Sequence, residues 1–355
     1  MASITFAVKK QASNYTFLMY NEGGGSAQAG VVLETPASQS DLSPDFIYAY
    51  RSAMLQDKRV AVIGMEEDNY YITIKCFLAG TTTLDWSYET PNIAYEYADI
   101  CVLNNGNIVA YWVDYDDENP YFIILSPSGG LVQGVTNADT TTGDAEDEDS
   151  FSINALEDGG FCCKWKYGSG TGQRASIWNA NGTVRQTRLT VEGSNEPSPA
   201  FQIPAGGVGS ISGGIIMFDA SNGYCFVYDP TDLSEIADYV DIGRAVNYVY
   251  TTKLSTWDDK VAMLFTSATG DIRGSILKDD ETLEVDDKLI LASNEVVDFI
   301  ALPDGTFLMQ YVDASTQYGQ SYYILDENLD ISTGPHIAFT GLTSNSNIYI
   351  KGCAG

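Results

Sequence analysis

The chain has 355 residues, with 48 Asp and Glu against 18 Lys and Arg, for a formal charge of −30. That balance argues against nucleic acid and against anionic membrane surfaces, both of which select Lys/Arg-rich faces. Val, Ile, Tyr, Phe and Thr are plentiful, no long run repeats its apolar residues every 3.6 positions, and no run is apolar enough to insert into a membrane as a helix. The class expected is therefore all-β.

In chain order the head offers three strands, Ile4–Val8, Tyr15–Tyr20 and Gly30–Glu34. Met1-Ala2-Ser3 leads straight into the first, with no basic segment of a secretory signal. Further inner strands are expected near Phe46, Tyr97, Phe151, Phe201, Tyr248, Val297 and Asn347, a period of about fifty residues. Each is followed by up to three more. After Phe46 these are Arg59–Gly64, Tyr70–Phe77 and Leu84–Tyr88; after Tyr97 they are Ile108–Val113, Tyr121–Leu125 and Leu131–Val135. The stretch Ala155–Val184 is echoed by Ala301–Leu329: a strand ending at Leu, then acid and Gly, a hydrophobic strand, a polar loop, and a second strand closed by an Asn-containing turn. Such a unit cannot bury its own faces, so neighbours must stack beside it. The unit from Phe201, with Pro204 and many glycines, is the least regular.

Four strands per unit, repeated around the chain, resemble the seven-bladed β-propeller superfamily. The resemblance rests on repeat architecture alone. No GH…WD pair, SxDxGxxW box or repeated kelch double glycine is present, and Trp257-Asp258 is an isolated match. It implies one domain of four-stranded antiparallel blades at about 346–355 plus 1–37, 45–90, 97–138, 149–191, 200–243, 247–293 and 296–340. The C-terminal inner strand, NIYIK, would pair with the N-terminal strands and close the ring, removing exposed edges.

In such a ring, turns joining strands one to two and three to four share one face. Here they are tight, as at Asn104-Asn105-Gly106, Glu157-Asp158-Gly159, Asn179-Ala180-Asn181-Gly182 and Pro303-Asp304-Gly305, and they read as two-residue hairpins. The opposite face carries longer loops at Ser38–Asp45, Tyr115–Asn119, Asp139–Ser150, Tyr167–Gln173, Glu192–Pro199 and Asp313–Gly319, and function is expected there.

Aromatics beside acids and amides suit carbohydrate, which is held by stacking plus hydrogen bonds. Tyr115 with Asp116, Tyr167, and Gln317 with Tyr318 have that character, although Tyr is also ordinary at strand ends. Asp114, Asp116 and Glu118, and likewise Asp144, Glu146 and Glu148, place oxygen ligands at alternate positions that calcium accepts. Neither run has an EF-hand Gly and distant Glu, so a solvated acidic loop is the simpler account of both. No cofactor beyond calcium is implied. The one histidine, His336, is expected in an outer strand with no nucleophile near it in sequence. The six cysteines follow no metal-ligand spacing and read as reduced, structural thiols. Trp112 and Trp165 occupy matching strand positions and read as core between blades.

The function expected is that of a non-enzymatic interaction module, binding a glycan or a protein neighbour within a larger assembly. The missing signal, the use of both termini in ring closure and the acidic exterior lead to a virion component, such as a phage head or tail accessory protein, or one released outside the cell by lysis. A cytoplasmic scaffold propeller has the same features. The alternative of another class is a polysaccharide-cleaving enzyme using paired carboxylates near the axis, although the sequence singles out no pair, and Glu157, Asp158 and Asp304, near the ends of inner strands, fall on the tight-turn face, which weakens that case.

Overall fold

The computed structural model describes residues 3–8, 16–21, 40–41, 46–66, 71–79, 83–114, 119–139, 152–167, 172–191, 200–219, 224–241, 252–257, 259–266, 269–292, 294–302, 305–313, 319–339 and 352–354. Every regular element among them is a β-strand. The first three are β1 (Ser3–Val8), β2 (Thr16–Asn21) and β3 (Ser40–Asp41). A seven-stranded sheet follows, with β4 (Phe46–Met54), β5 (Val60–Glu66), β6 (Tyr71–Phe77), β7 (Leu84–Val102), β8 (Ile108–Asp114), β9 (Pro120–Leu125) and β10 (Leu131–Asn137) in sequence order.

Four four-stranded antiparallel meanders come next. They are β11 (Ser152–Ala155) to β14 (Val184–Val191) through β12 (Phe161–Tyr167) and β13 (Gly172–Trp178), then β15 (Phe201–Gln202) to β18 (Glu235–Asp241) through β16 (Ile215–Asp219) and β17 (Tyr224–Tyr228). After these come β19 (Thr252–Trp257), β20 (Lys260–Thr266), β21 (Ile272–Lys278) and β22 (Leu283–Leu291), and finally β23 (Glu295–Ala301), β24 (Phe307–Asp313), β25 (Gly319–Leu325) and β26 (Ile331–Phe339).

The last strand, β27 (Gly352–Ala354), pairs antiparallel with β1, Thr5 opposite Cys353. The expected C-terminal strand, 347–351, and the expected third head strand, 30–34, lie outside the described residues. The boundary expected between residues 90 and 97 is replaced by continuous strand. β7 runs as the outer strand beside β6 and then as the inner strand beside β8, and register shifts between Tyr71 and Thr73 and between Ala94 and Ala98 absorb the change of sheet.

Alternation places each sheet's two faces against its neighbours. Trp112 packs with Ile63, Met65 and Ile74 of the preceding strands, and Trp165 packs with Tyr111 and Phe122 one unit further on. Both indoles are fully buried, so their matching positions do mark the core between units. The first strands of consecutive units adjoin: β27 lies against β23 and β4, β4 against β7, and β7 against β11. In the least regular unit the inner strand β15 is only two residues long. Residues 203–214 leave it and reach the next unit, where the Gly209 N–H donates to the Asp279 carboxylate at 2.9 Å and the Ile211 N–H to the Asp279 carbonyl at 3.0 Å. Gly207 and Gly209 permit this approach, because a Cβ at either would collide with Asp279.

Candidate functional site

The two faces differ in how their polar groups are used. On the tight-turn face the turns at Asn104–Gly106, Asp158–Gly159, Asn181–Gly182 and Gly305 hold three residues, one more than the Asn-Gly and Asp-Gly pairs implied. Leu103, for example, donates to and accepts from the far side of its turn, by its N–H to Asn107 O at 2.8 Å and by its C=O from Gly106 N at 2.8 Å. This is a type I turn closed by one left-handed residue. That position is Gly106, Gly129, Gly159, Gly182 or Gly305 in five turns, and Lys58, Glu281 or Leu329 in three others, while Leu233 is the left-handed residue of a four-residue turn, its N–H donating to the Asp229 carbonyl. Within the loops, Asp57, Asn105, Asp158, Asn181, Asp232 and Asp280 each accept a hydrogen bond from the backbone N–H two residues on.

Between turns, side chains join one unit to the next. Gln56 Nε2 donates to the Asn104 carbonyl at 2.9 Å, and Asn104 Nδ2 donates to the Glu157 carbonyl at 2.6 Å. The Glu157 N–H donates to Gln202 Oε1 at 2.7 Å, and Glu157 Oε2 accepts from the Ala205 N–H at 2.8 Å. Burial alone would raise the Asp158 carboxyl, but the hydrogen bonds and charge of Arg185 together with the Gly160 N–H outweigh it and hold the carboxyl below the usual range. Glu157 and Asp158, two of the acids weighed for catalysis, therefore build turns and joints. Asp304, the third, lies outside the described residues.

Toward the loop-rich face, charged groups enter the strands themselves. Asp99 accepts from the Ile100 N–H at 2.9 Å and the Ile153 N–H at 3.1 Å, and Arg51 approaches it at 3.5 Å. One carboxylate thus ties β4, β7 and β11. Arg174 meets Asp139 at 3.3 Å, both side chains almost fully buried, where the chain leaves β10 for the acidic link 140–151. The Asp114 N–H donates to the Asn119 carbonyl at 2.9 Å, closing the base of the loop between β8 and β9. Lys164 is completely buried, and burial pushes its amine down to about 7. The hydroxyl of Tyr111 donates to the Lys164 carbonyl at 3.1 Å. Burial also pushes the thiols of Cys76 and Cys162 up to about 12, and the cysteines at 76, 101, 162, 163 and 225 are unbridged, as inert structural thiols should be.

Of the residues singled out in the sequence, Asp114 is buried at the loop base and Tyr167 ends β12, opposite Gly172 in the backbone register. Tyr115, Asp116, Glu118, Asp144, Glu146, Glu148, Gln317 and Tyr318 lie outside the described residues. Among the described residues no group of three or more His, Cys, Asp or Glu is placed to hold a metal ion. His336 stands in the outer strand β26, opposite Tyr322. Arg51, Asp99, Asp139, Lys164 and Arg174 were not singled out. Their sequence signal is a charge set inside an apolar strand, as in Tyr97-Ala98-Asp99-Ile100-Cys101 and Cys162-Cys163-Lys164-Trp165.

No protein-family model and no curated protein sequence matches the chain. Solved structures do match it. A protein from Lactobacillus plantarum is 14% identical with a TM-score of 0.60, the match covering 100% of this chain and 99% of the other. A 6-phosphogluconolactonase-like protein from Bacteroides fragilis is 13% identical with a TM-score of 0.63, covering 99% and 97%. The BP39L lectin from Burkholderia pseudomallei is 8% identical with a TM-score of 0.59, covering 95% of each chain. The fold is that of a β-propeller. A lectin and a lactonase-like protein share it, so the fold by itself separates neither binding from catalysis nor one ligand from another.

Proposed function

We propose that this chain is a non-enzymatic, carbohydrate-binding β-propeller of seven four-stranded blades, closed by β27 on β1, that presents its loop-rich face to a glycan. The observation that carries this reading is the unequal use of the two faces. On the tight-turn side, Gln56, Asn104, Glu157 and Gln202 are engaged in a hydrogen-bonded belt between blades. On the other side, Asp114, Asp139 and Arg174 are buried beside the points where the chain enters or leaves the connections 115–118, 140–151 and 168–171, and in the sequence the longer connections of this face carry Tyr115, Asp116, Tyr167, Gln317 and Tyr318. A fixed footing for such connections suits a sugar site, because pre-ordered groups lose little entropy on binding. The likeness in fold to a lectin supports the ligand class.

The non-enzymatic part rests on how the described carboxylates are held. Asp99 accepts two backbone N–H groups besides facing Arg51, Asp139 faces Arg174, and Asp158 faces Arg185. Each is occupied by its partners, whereas a glycosidase needs one carboxyl free to donate a proton. A place in a virion or another larger assembly is part of the proposal, and the structural neighbours add nothing to it.

The test is a broad glycan array probed with the purified chain, once in calcium and once in chelator. Binding that depends on calcium assigns the acidic loops at Asp114–Glu118 and Asp144–Glu148 as ligands to the ion. Binding indifferent to chelator assigns the site to the aromatic loops. The absence of binding in both conditions overturns the carbohydrate reading.

A further inference from the structure

The turn between β13 and β14 runs Asn179-Ala180-Asn181-Gly182-Thr183. Its side chains form one hydrogen-bonded chain in which every donor points the same way. Arg185 Nε donates to Asn179 Oδ1 at 2.6 Å, Asn179 Nδ2 donates to Thr183 Oγ1 at 2.9 Å, and Thr183 Oγ1 donates to Asn181 Oδ1 at 2.7 Å. The Thr183 N–H is a second donor to that last oxygen, at 3.1 Å. Hydrogen bonds in series polarise one another, so the guanidinium charge is relayed to the Asn181 side-chain carbonyl. Asn181 Nδ2 takes no part in the chain, and the residue is exposed.

The residue after Asn181 is glycine, whose backbone nitrogen has no side chain beside it to block a close approach. The bond from Asn181 Oδ1 to the N–H two residues on folds the side chain back along the main chain, toward that nitrogen. Attack by the nitrogen on Asn181 Cγ moves negative charge onto Oδ1. The Thr183 hydroxyl and N–H already point there, as the donors of an oxyanion hole do.

We propose that Asn181 is a site of self-modification, at which the turn drives the loss of the side-chain amide. The Gly182 nitrogen gives its proton to hydroxide and bonds to Asn181 Cγ. The Cγ–Nδ2 bond breaks, and Nδ2 takes a proton from water and leaves as ammonia. One water then opens the resulting ring, giving aspartate or its isomer linked through the side chain. Asn179 and Arg185 act as positioning residues, through Thr183.

Asn105-Gly106 is the internal reference. In both turns the glycine N–H donates to a carbonyl three residues back, Gly182 to Asn179 at 2.9 Å and Gly106 to Leu103 at 2.8 Å, so that restraint is shared. Asn105 Oδ1, however, accepts from the Asn107 N–H at 2.9 Å with no hydroxyl beside it, and Gly106 is buried where Gly182 is half-buried. The fold also has room for the product. In the turn between β21 and β22, Asp280 accepts from both the N–H and the hydroxyl of Thr282, as an aspartate at 181 would from Thr183.

The experiment is peptide mapping by mass spectrometry of the full chain aged in neutral and in mildly alkaline buffer, folded and in urea. Trypsin cutting after Arg174 and Arg185 isolates the turn, and fragmentation separates Asn181 from Asn179. In the folded chain Asn181 is expected to convert on the order of tenfold faster than Asn105, less than the roughly 10²–10³ that a water-excluded oxyanion donor is worth. The rate is expected to rise with pH, and in urea the two sites should converge. Thr183→Val should slow Asn181 toward the Asn105 rate and Thr183→Ser, which keeps the hydroxyl, should restore it, with circular dichroism as the control for folding. Asn105 converting as fast as Asn181 in the folded chain overturns the proposal, and so does an unchanged Asn181 rate in Thr183→Val.

Discussion

Asn104 donates its side-chain amide to the carbonyl of Glu157 across 2.6 Å, joining two turns that are 53 residues apart in the chain. Both residues follow the leucine that ends an inner strand, so the bond repeats a repeat. Replacing Asn104 with Ala removes one solvent-exposed link of the belt. Urea denaturation should show a loss of about 1 kcal/mol or less, and glycan binding on the opposite face should be unchanged.

Lys164 sets a pH dependence whose sign follows from its burial. The amine is held down to about 7 in the folded chain, and it returns to the ordinary lysine range when unfolded. Between those values the unfolded chain binds the additional proton, so stability rises with pH from about 7 upward. Above about pH 8.5 the unfolded thiols begin to ionise while Cys76 and Cys162 stay protonated, which works in the other direction. Thermal melts between pH 6 and 8.5 should therefore show a rising midpoint. Lys164→Met should flatten that rise and raise stability by on the order of a few kcal/mol.

The left-handed turn positions predict opposite effects for opposite changes. Lys58 and Glu281 hold φ of 71° and 66°, where a Cβ is strained. Lys58→Gly and Glu281→Gly should each stabilise by up to about 1 kcal/mol. Gly159→Ala, at φ 90°, should destabilise by about as much or more. Chemical denaturation of the three variants side by side provides the check.

The Arg174–Asp139 pair makes a larger demand. Arg174→Met takes the facing cation from a carboxylate that is 5% exposed. Removing one partner of such a pair costs about 3–5 kcal/mol. Adding Asp139→Asn should recover much of that loss, and a double-mutant cycle in urea measures the difference. A stability loss under 1 kcal/mol for Arg174→Met would mean that the pair behaves as a surface contact.

Strand positions were legible because alternation and turn residues are local. The expected Ile108–Val113, Tyr121–Leu125 and Leu131–Val135 differ from β8, β9 and β10 by two residues or fewer at each end. Turn length was not legible, since Asn105-Gly106 suits both a two-residue hairpin and a type I turn with a left-handed third residue. Only the pairing of Leu103 with Asn107 decides between them. The buried charges escaped for a different reason: the groups that hold Asp99 come from Arg51 and Ile153, each about fifty residues away, and a single sequence does not connect them. The aromatic and acidic loop residues, apart from Asp114 and Tyr167, lie outside the described residues, so their assignment to a face comes from the sequence alone.

β7 adds a mechanical consequence. As one 19-residue strand it serves two sheets at once, so the two units that share it have no intervening segment to act as a hinge. They must lose their hydrogen bonds together, as a single cooperative block of roughly ninety residues. Any transient parting between units is therefore steered to the other seams, among them the one that residues 203–214 fasten to Asp279. Amide exchange should find its slowest protons along β5, β6, β8 and β9, on either side of that shared strand.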